Sequence, residues 1–481
     1  MKSTNLIYDV SDRPGLWKTI VFALQQVLAI LAATIVVPFI INGNTAALVE
    51  KGEALVVSNM SQSAALFGAG VGTIVYLLFT KFKSPVFLGS SFAFLGSMTA
   101  AFAGATTAAA GYLGIIVGAI FAGLVYVVIA LIIKFAGVNW IDKIMPAAVI
   151  GPTVAVIGLS LAGNAVGDLT KGAVSTCNPF IALLCGLVTL ITVIICSVYG
   201  KKMAKIIPFI IGIGAGYTLA AIFTVIGILA EVEALKVINF GLFASMQWVP
   251  EFTFIKAFEG DLGNFGSLLG TVAVAYIPVA FVVFAEHLAD HKNISSIIGT
   301  DLTKDPGLHR TLLGDGIGSM AGAIFGGCPN TTYGESVGCV AISGNASVVT
   351  IFTAAIICIL ASFLAPFVTL LASIPNCVMG GVCFALYGFI AVSGLKMIQK
   401  VDLNENKNLF TVSVILIAGV GGLVLNIGKV TLTAVACALI LGIIVNLITA
   451  KAGVKKDCAE GCENCSEEDV CVKDVATTEE E

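Results

Sequence analysis

Gly327-Cys328-Pro329-Asn330-Thr331-Thr332-Tyr333-Gly334-Glu335 decides the fold. These residues interrupt a greasy stretch with a proline, an asparagine, two threonines, a glycine and a carboxylate. A backbone in hydrocarbon must satisfy its own polar groups. A polar break at membrane depth therefore survives only where protein covers it or where it lines a cavity. An acidic side chain there costs about 3 kcal/mol or more, so Glu335 is a functional residue by default.

The surrounding chain supports a membrane setting. Of 481 residues, 58% are hydrophobic and 11% charged, with mean hydropathy +1.02. A soluble domain is about 25% charged. No soluble domain of useful size is left over, and no nucleic-acid partner is expected. The net charge of -4 says little, because the acidic excess sits largely in the C-terminal tail.

Apolar runs of about 20 residues, the length that crosses a bilayer, recur along the chain. They predict fourteen spans near 17–42, 60–81, 86–103, 108–135, 146–165, 178–199, 205–230, 264–290, 309–326, 330–345, 347–372, 376–395, 408–425 and 430–450. The expected architecture is an all-α polytopic membrane protein. Residues 1–16 form a cytoplasmic N-terminus, and 451–481 a polar acidic tail. Of the 25 Lys and Arg residues, only Lys51, Lys171, Lys236, Lys256 and Lys429 fall on the outer side of this arrangement. The bias places both termini in the cytoplasm.

Two halves echo each other. Met145-Pro146-Ala147-Ala148-Val149-Ile150-Gly151 opens span five, and Ile374-Pro375-Asn376-Cys377-Val378-Met379-Gly380 opens span twelve. Gly89-Ser90-Ser91-Phe92-Ala93-Phe94 breaks span three as Asn330 to Glu335 breaks span ten. Each matching pair is seven spans apart. An odd spacing reverses direction, so 17–230 and 264–450 read as inverted repeats of seven spans. Interrupted segments at matching positions of two halves point to a transporter's binding site.

The chemistry gathers near those breaks. Span eight ends Phe284-Ala285-Glu286-His287-Leu288-Ala289-Asp290-His291-Lys292. Glu286 and Asp290 are four apart, so on a helix they share a face. A carboxylate in low dielectric is costly as the anion, so Glu286 and Glu335 can each take up a proton near neutral pH. They can also accept hydrogen bonds from ring N–H groups of a planar polar substrate. Helix starts at Ser90–Phe92 and Thr332–Gly334 would offer unpaired backbone N–H donors. Phe92, Tyr333 and Tyr387 could supply aromatic walls. His287 and His291 lack the neighbours of a metal site. A wet role at the cytoplasmic end, or hydrogen bonding to Glu286 or Asp290, is expected of them. A connector and packing role is expected of His309-Arg310 and Gly314-Asp315-Gly316. One of Gln25 and Gln26 should bond across to another helix. In the tail, Cys458, Cys462, Cys465 and Cys471 could hold a soft metal such as zinc, or could be plain reduced thiols. No cofactor is expected.

These motifs, with Asp305-Pro306-Gly307-Leu308-His309-Arg310, resemble the nucleobase–ascorbate transporter family from Ser11 to about Ala450. Thr331-Thr332-Tyr333-Gly334-Glu335 resembles its uracil branch, since the xanthine and urate branch usually has Gln in place of the Glu. The resemblance implies a core domain (spans 1–4 and 8–11), a gate domain (5–7 and 12–14) and short antiparallel strands in spans three and ten. It implies that Glu286 and Glu335 hydrogen-bond the uracil ring nitrogens and that the N–H groups of Phe92 and Gly334 bind its carbonyls. Ala33, Tyr333 and Tyr387 would line the pocket. It implies proton symport through Glu286, Asp290, His291 and Glu335, alternating access, a homodimer, and the bacterial cytoplasmic membrane. Two positions depart from the pattern. Asp290, with His291 beside it, stands where well-known uracil members carry a His, which bears on the proton path. Ser336 stands where many members have Asn, which bears on affinity or selectivity.

Rival readings remain open at this level. They are a symporter for xanthine or another purine, Na⁺ coupling, an anion carrier, a channel and a membrane enzyme. No Lys or Arg lies within either break, which argues against an anion carrier. No nucleophile–base pair or metal motif lies within the spans, which argues against an enzyme.

Overall fold

Apolar runs in this chain become helices because only internal hydrogen bonds can satisfy a backbone in hydrocarbon. The computed structural model describes residues 6–450 apart from 138, 202 and 428–429. The four tail cysteines lie outside the described residues.

Among the described residues, eight helices are long and apolar enough to cross a membrane alone. They are Leu16–Glu50, Gln62–Phe79, Ala108–Ala136, Ala147–Asp168, Pro179–Tyr199, Pro208–Leu229, Phe265–Ile298 and Asn376–Ile398, which occupy segments one, two, four, five, six, seven, eight and twelve. Segment eleven is a bent pair, Val348–Ala361 and Ala365–Ala372, turned by 85° at its break. Leu308–Gly326, Asn406–Val420 and Ala434–Thr449 fill segments nine, thirteen and fourteen. Segments three and ten are each a strand followed by a half-helix. Strand β1 (Leu88–Ser90) leads to Leu95–Ala103, and β2 (Asn330–Thr332) leads to Gly334–Ser343. The protein is thus a multi-pass helical membrane protein with an element at every predicted position.

Several boundaries move. Segment one runs to Glu50 and segment eight to Ile298, where Gly299 stops it in the left-handed conformation (φ 69°). Residues 425–427 (β3) and 430–432 (β4) pair as an antiparallel hairpin. Segment thirteen therefore ends at Val420, and segment fourteen starts at Ala434 rather than 430. A hydropathy window cannot separate a short apolar strand from helix, so the sequence pattern reads 425 as the end of span thirteen and 430–432 as the start of span fourteen.

The two breaks meet. β1 and β2 pair antiparallel, with Leu88 opposite Thr332, Gly89 opposite Thr331 and Ser90 opposite Asn330. Ser91 N–H donates to Pro329 O (2.9 Å), and Tyr333 N–H donates to Phe87 O (3.2 Å), extending the ladder at both ends. Polar backbone that no helix satisfies is satisfied by its counterpart from the other half of the chain.

Packing sorts the helices. Segment nine lies on segments two and four, eight on three and four, and eleven on one and two. Segment twelve lies on five and six, seven on six, and thirteen on five and fourteen. Glycines set the closest approaches. A Cβ on Gly68 would come 2.7 Å from Gly322 O, between segments two and nine. One on Gly158 would come 2.4 Å from Tyr387 O, between segments five and twelve. Pro146 and Pro375, the prolines of the sequence echo, both stand at the N-cap of their helices.

Candidate functional site

The strand pair is the platform of the site. Asn330 Nδ2 donates to Gly68 O (2.9 Å), and Leu88 N–H donates to Thr73 Oγ1 (2.9 Å), so segment two holds both strands. The Tyr333 hydroxyl donates to Ser90 O (2.8 Å). Its ring covers Gly89, where an added Cβ would lie 2.3 Å from the ring. Only glycine admits that contact. Ser336, fully buried, accepts from Phe87 N–H (3.0 Å) and from Gln26 Nε2 of segment one. Gln26 is thus the glutamine that bonds across, and Ser336 ties the half-helix carrying Glu335 to segments one and three.

Segment eight runs past this platform as one helix, so the expected sharing of a face by Glu286 and Asp290 holds. Both line a cavity of about 430 Å³ together with Gly334 and Glu335. The cavity lies between the two packing groups. Ala29 and Glu286 come from one, and Val154, Phe209 and Phe389 from the other. Its size is within the usual ligand-pocket range of about 300–1,000 Å³. Asp290 Oδ2 accepts from the Thr332 hydroxyl (2.8 Å), which anchors this acid to β2. Gly334 opens the half-helix, and a Cβ there would meet nothing nearer than Asp290 Oδ1 at 3.9 Å. The first turn of that helix therefore presents its N-terminus to the cavity with no side chain in the way.

A second cavity, about 510 Å³, shares Ala289, Asp290, Asn293, Ser393 and Met397 with the first. Lys292, Lys396 and Lys400 line it. The remaining predicted pocket residues are not on the cavity walls. Ala33, Phe92, Tyr333 and Tyr387 are all buried. Phe92 meets Tyr387 edge-on at 5.9 Å, joining segments three and twelve. Asn164 Nδ2 donates to Asn44 Oδ1 (3.3 Å), joining segments five and one. Phe92 lies three positions before the first residue of the segment-three half-helix, and Leu95 N–H donates to its carbonyl.

His287 and His291 are not wet and do not touch the acids of the cavity. Both are wholly buried on the far side of segment eight. His287 pairs with Asp315 Oδ2 (2.8 Å) and Thr311 Oγ1 (3.0 Å) of segment nine. His291 pairs with the Tyr76 hydroxyl (2.7 Å) of segment two. Asp315 is therefore a buried acid with a specific partner, beyond the packing role its glycine neighbours suggested. Nothing local in the sequence joins Asp315 to His287, 28 positions away. Among the described residues no cluster of metal-binding side chains occurs.

Residues 17–428 match the model of the permease family Xan_ur_permease. The uracil permease of Bacillus caldolyticus is 37% identical over 92% of this chain and 94% of its own length. The uracil permease of Bacillus subtilis is 37% identical over 94% of this chain and 96% of its own. That of Escherichia coli is 35% identical over 91% and 93%. These relatives are named as transporters, not enzymes. The transmembrane domain of the cyanobacterial bicarbonate transporter BicA shares the fold, with TM-score 0.56 and 18% identity over 94% of this chain and all of that one. SLC26A9 shares it with TM-score 0.59 and 11% identity over 91% and 66%.

Proposed function

The chain belongs to the xanthine/uracil permease family, and on that premise we propose that it imports uracil by proton symport across the bacterial cytoplasmic membrane. One observation carries the reading. Glu286 and Glu335, 49 positions apart and on different elements of the second repeat, line the same cavity beside a helix start that carries no Cβ. Two carboxylates accept from the two ring N–H groups of uracil. The Gly334 N–H, at the positive end of the half-helix, is placed to donate to a carbonyl. Phe92, Ala33, Tyr333 and Tyr387 support this site from behind rather than from its walls.

In this reading segments 1–4 and 8–11 are the core, and 5–7 and 12–14 the gate. The cavity lies on their seam. Lys292, Lys396 and Lys400 mark its mouth as cytoplasmic under the positive-inside rule, with both termini on that side. The Phe92–Tyr387 and Asn44–Asn164 contacts then close the outer path, and moving core against gate exchanges the two. Glu286, Glu335 and Asp290 are the groups that take up the coupled proton. The homodimer implied by the resemblance would use exposed apolar faces such as those of segments six and seven, with Phe180 and Leu229 each 80% exposed.

Radiolabelled uracil uptake into proteoliposomes tests the proposal. Accumulation driven by an inward proton gradient and competed by unlabelled uracil is expected. Accumulation with Na⁺ alone, or of xanthine in place of uracil, would overturn the coupling or the substrate respectively.

A further inference from the structure

The hydrogen bonds on the far side of segment eight fix where protons sit. Thr311 Oγ1 donates to Leu308 O (3.0 Å), which uses its one hydrogen. Toward His287 it can only accept, so Nε2 of His287 carries a hydrogen. One proton then lies between Nδ1 and Asp315 Oδ2, whichever atom holds it. Without that proton the two lone pairs would face each other at 2.8 Å. For His291 the partner decides directly. Its Nδ1 is 2.8 Å from His287 O, and a carbonyl only accepts. Nδ1 therefore donates, and in the neutral ring Nε2 accepts from the Tyr76 hydroxyl. With its one hydrogen so used, Tyr76 accepts from Ser84 Oγ (2.6 Å).

The groups facing the two imidazoles come from three other elements. Segment nine supplies Thr311 and Asp315, and segment two and the chain after it supply Tyr76 and Ser84. Segment four supplies Tyr126, its ring centroid 6.4 Å from that of His287. The rings of His287 and His291 stack at 3.9 Å. All of these side chains except Tyr126, at 2% exposure, are fully buried, and Asp315 makes no ion pair with Lys or Arg among the described residues. Stacked imidazoles this close disfavour a second positive charge.

We propose that His287 and Asp315 share one resident proton, that His291 is locked as its neutral Nδ1–H tautomer, and that both histidines clamp segment eight rather than carry the coupled proton. They are positioning residues: they fix the rotation of the helix and so the aim of Glu286 and Asp290 into the cavity. The inference rests on the transport reading for what is coupled. The proton assignment rests on the hydrogen bonds, the burial and the ring stacking.

The chain has three histidines, His287, His291 and His309, which makes a spectroscopic test clean. Full-length protein labelled with ¹⁵N only at histidine is placed in lipid bilayers. Its imidazole shifts are followed from about pH 5.5 to about 8.5, where a free imidazole titrates, with and without saturating uracil. His309→Gln and Tyr76→Phe assign the signals. His287 is expected to keep its Nε2 hydrogen, and His291 its Nδ1 hydrogen, at every pH and in both states, while His309 titrates. A buried imidazole that titrates, or that gains or loses a proton when uracil binds, overturns the proposal. Radiolabelled uracil binding on the same sample is read separately. Its absence sinks the transport reading, and the pH series still decides the histidines. Asp315→Asn keeps an N–H donor toward Nδ1 and is expected to leave proton uptake on uracil binding unchanged. Loss of that uptake in folded protein would put the coupled proton on the pair.

Discussion

Segment eight has two faces one residue apart in sequence. Glu286 and Asp290 look into a cavity, while His287 and His291 look into packed protein. Both pairs are spaced by four, so helical periodicity treats them alike. What separates them is the partner. The acids face an open volume bordered by a helix start, and Asp290 also accepts from the Thr332 hydroxyl. The histidines face a closed set of donors and acceptors supplied by segments two and nine. Polar groups meant for a ligand are left room, and polar groups meant for the fold are used up. The same rule sorts the two broken segments. Segment three contributes the uncharged β1, and segment ten contributes β2 and then Glu335 on the cavity wall.

Mutations on the two faces should fail differently. The largest effect on binding is expected from Glu335→Gln and Glu286→Gln. Each replaces an acceptor of a charge-assisted hydrogen bond and should weaken uracil binding about 100-fold, roughly 2.7 kcal/mol. The thermal midpoint should stay within a few degrees. Equilibrium binding of labelled uracil beside a melting curve checks both, and wild-type affinity in Glu335→Gln would break the assignment of the cavity face. Next, His287→Leu leaves Asp315 buried without its partner. The expected loss is about 3 kcal/mol of stability, since breaking a buried pair strands the remaining charge or proton. Here the melting curve should drop, while uracil affinity of the folded fraction changes about fivefold or less. A variant that melts normally but no longer binds would move His287 to the ligand side.

Much of this is legible in the amino-acid sequence. The hydropathy of fourteen segments, the echoed prolines and the two small-polar breaks carry the fold, because each is a local consequence of crossing hydrocarbon. Glu286 and Glu335 were legible for the same reason: a carboxylate in an apolar run is rare enough to stand out. The far face of segment eight was not. His287 reads as the wet end of a helix because the expected span stops at 290, while the helix continues to Ile298. Asp315 reads as a connector because its flanking glycines signal packing and its partner comes from another segment. Ser336 could be marked as a departure from the family pattern. Its bonds to Gln26 and Phe87 bring together residues about 250 or more positions apart, which no window sees. The pairing of 425–427 with 430–432 is hidden by apolar residues in both strands.

A smaller effect tests whether Asp290 belongs with the acids of the cavity. Thr332→Val removes the one hydroxyl that Asp290 accepts from, at nearly constant volume. The loss should be about 1 kcal/mol, read as a roughly fivefold weaker uracil affinity. An unchanged affinity would mean that Asp290 does not shape the site, and the proton path would then run through Glu286 and Glu335 alone.

The smallest effect sharpens the contrast between a used and an unused partner. Lys83 and Asp305 form the shortest ion pair with both partners near half exposed, Nζ to Oδ1 2.6 Å with side chains 47% and 61% exposed. The His287–Asp315 pair is longer, at 2.8 Å, and has no exposure at all. If distance ranked these contacts, Asp305→Asn would cost more than His287→Leu. Water and salt screen the exposed pair, and two long side chains lose freedom to make it, so Asp305→Asn should cost about 0.5 kcal/mol or less. Melting curves at low and at moderate salt check this. The wild-type and Asp305→Asn curves should nearly coincide, and raising the salt should erase what gap there is. The gap between wild type and His287→Leu should survive the same salt, because no ion reaches Asp315. Equal salt sensitivity in the two variants would mean that the far face of segment eight is wet after all, and the division between its faces would fall.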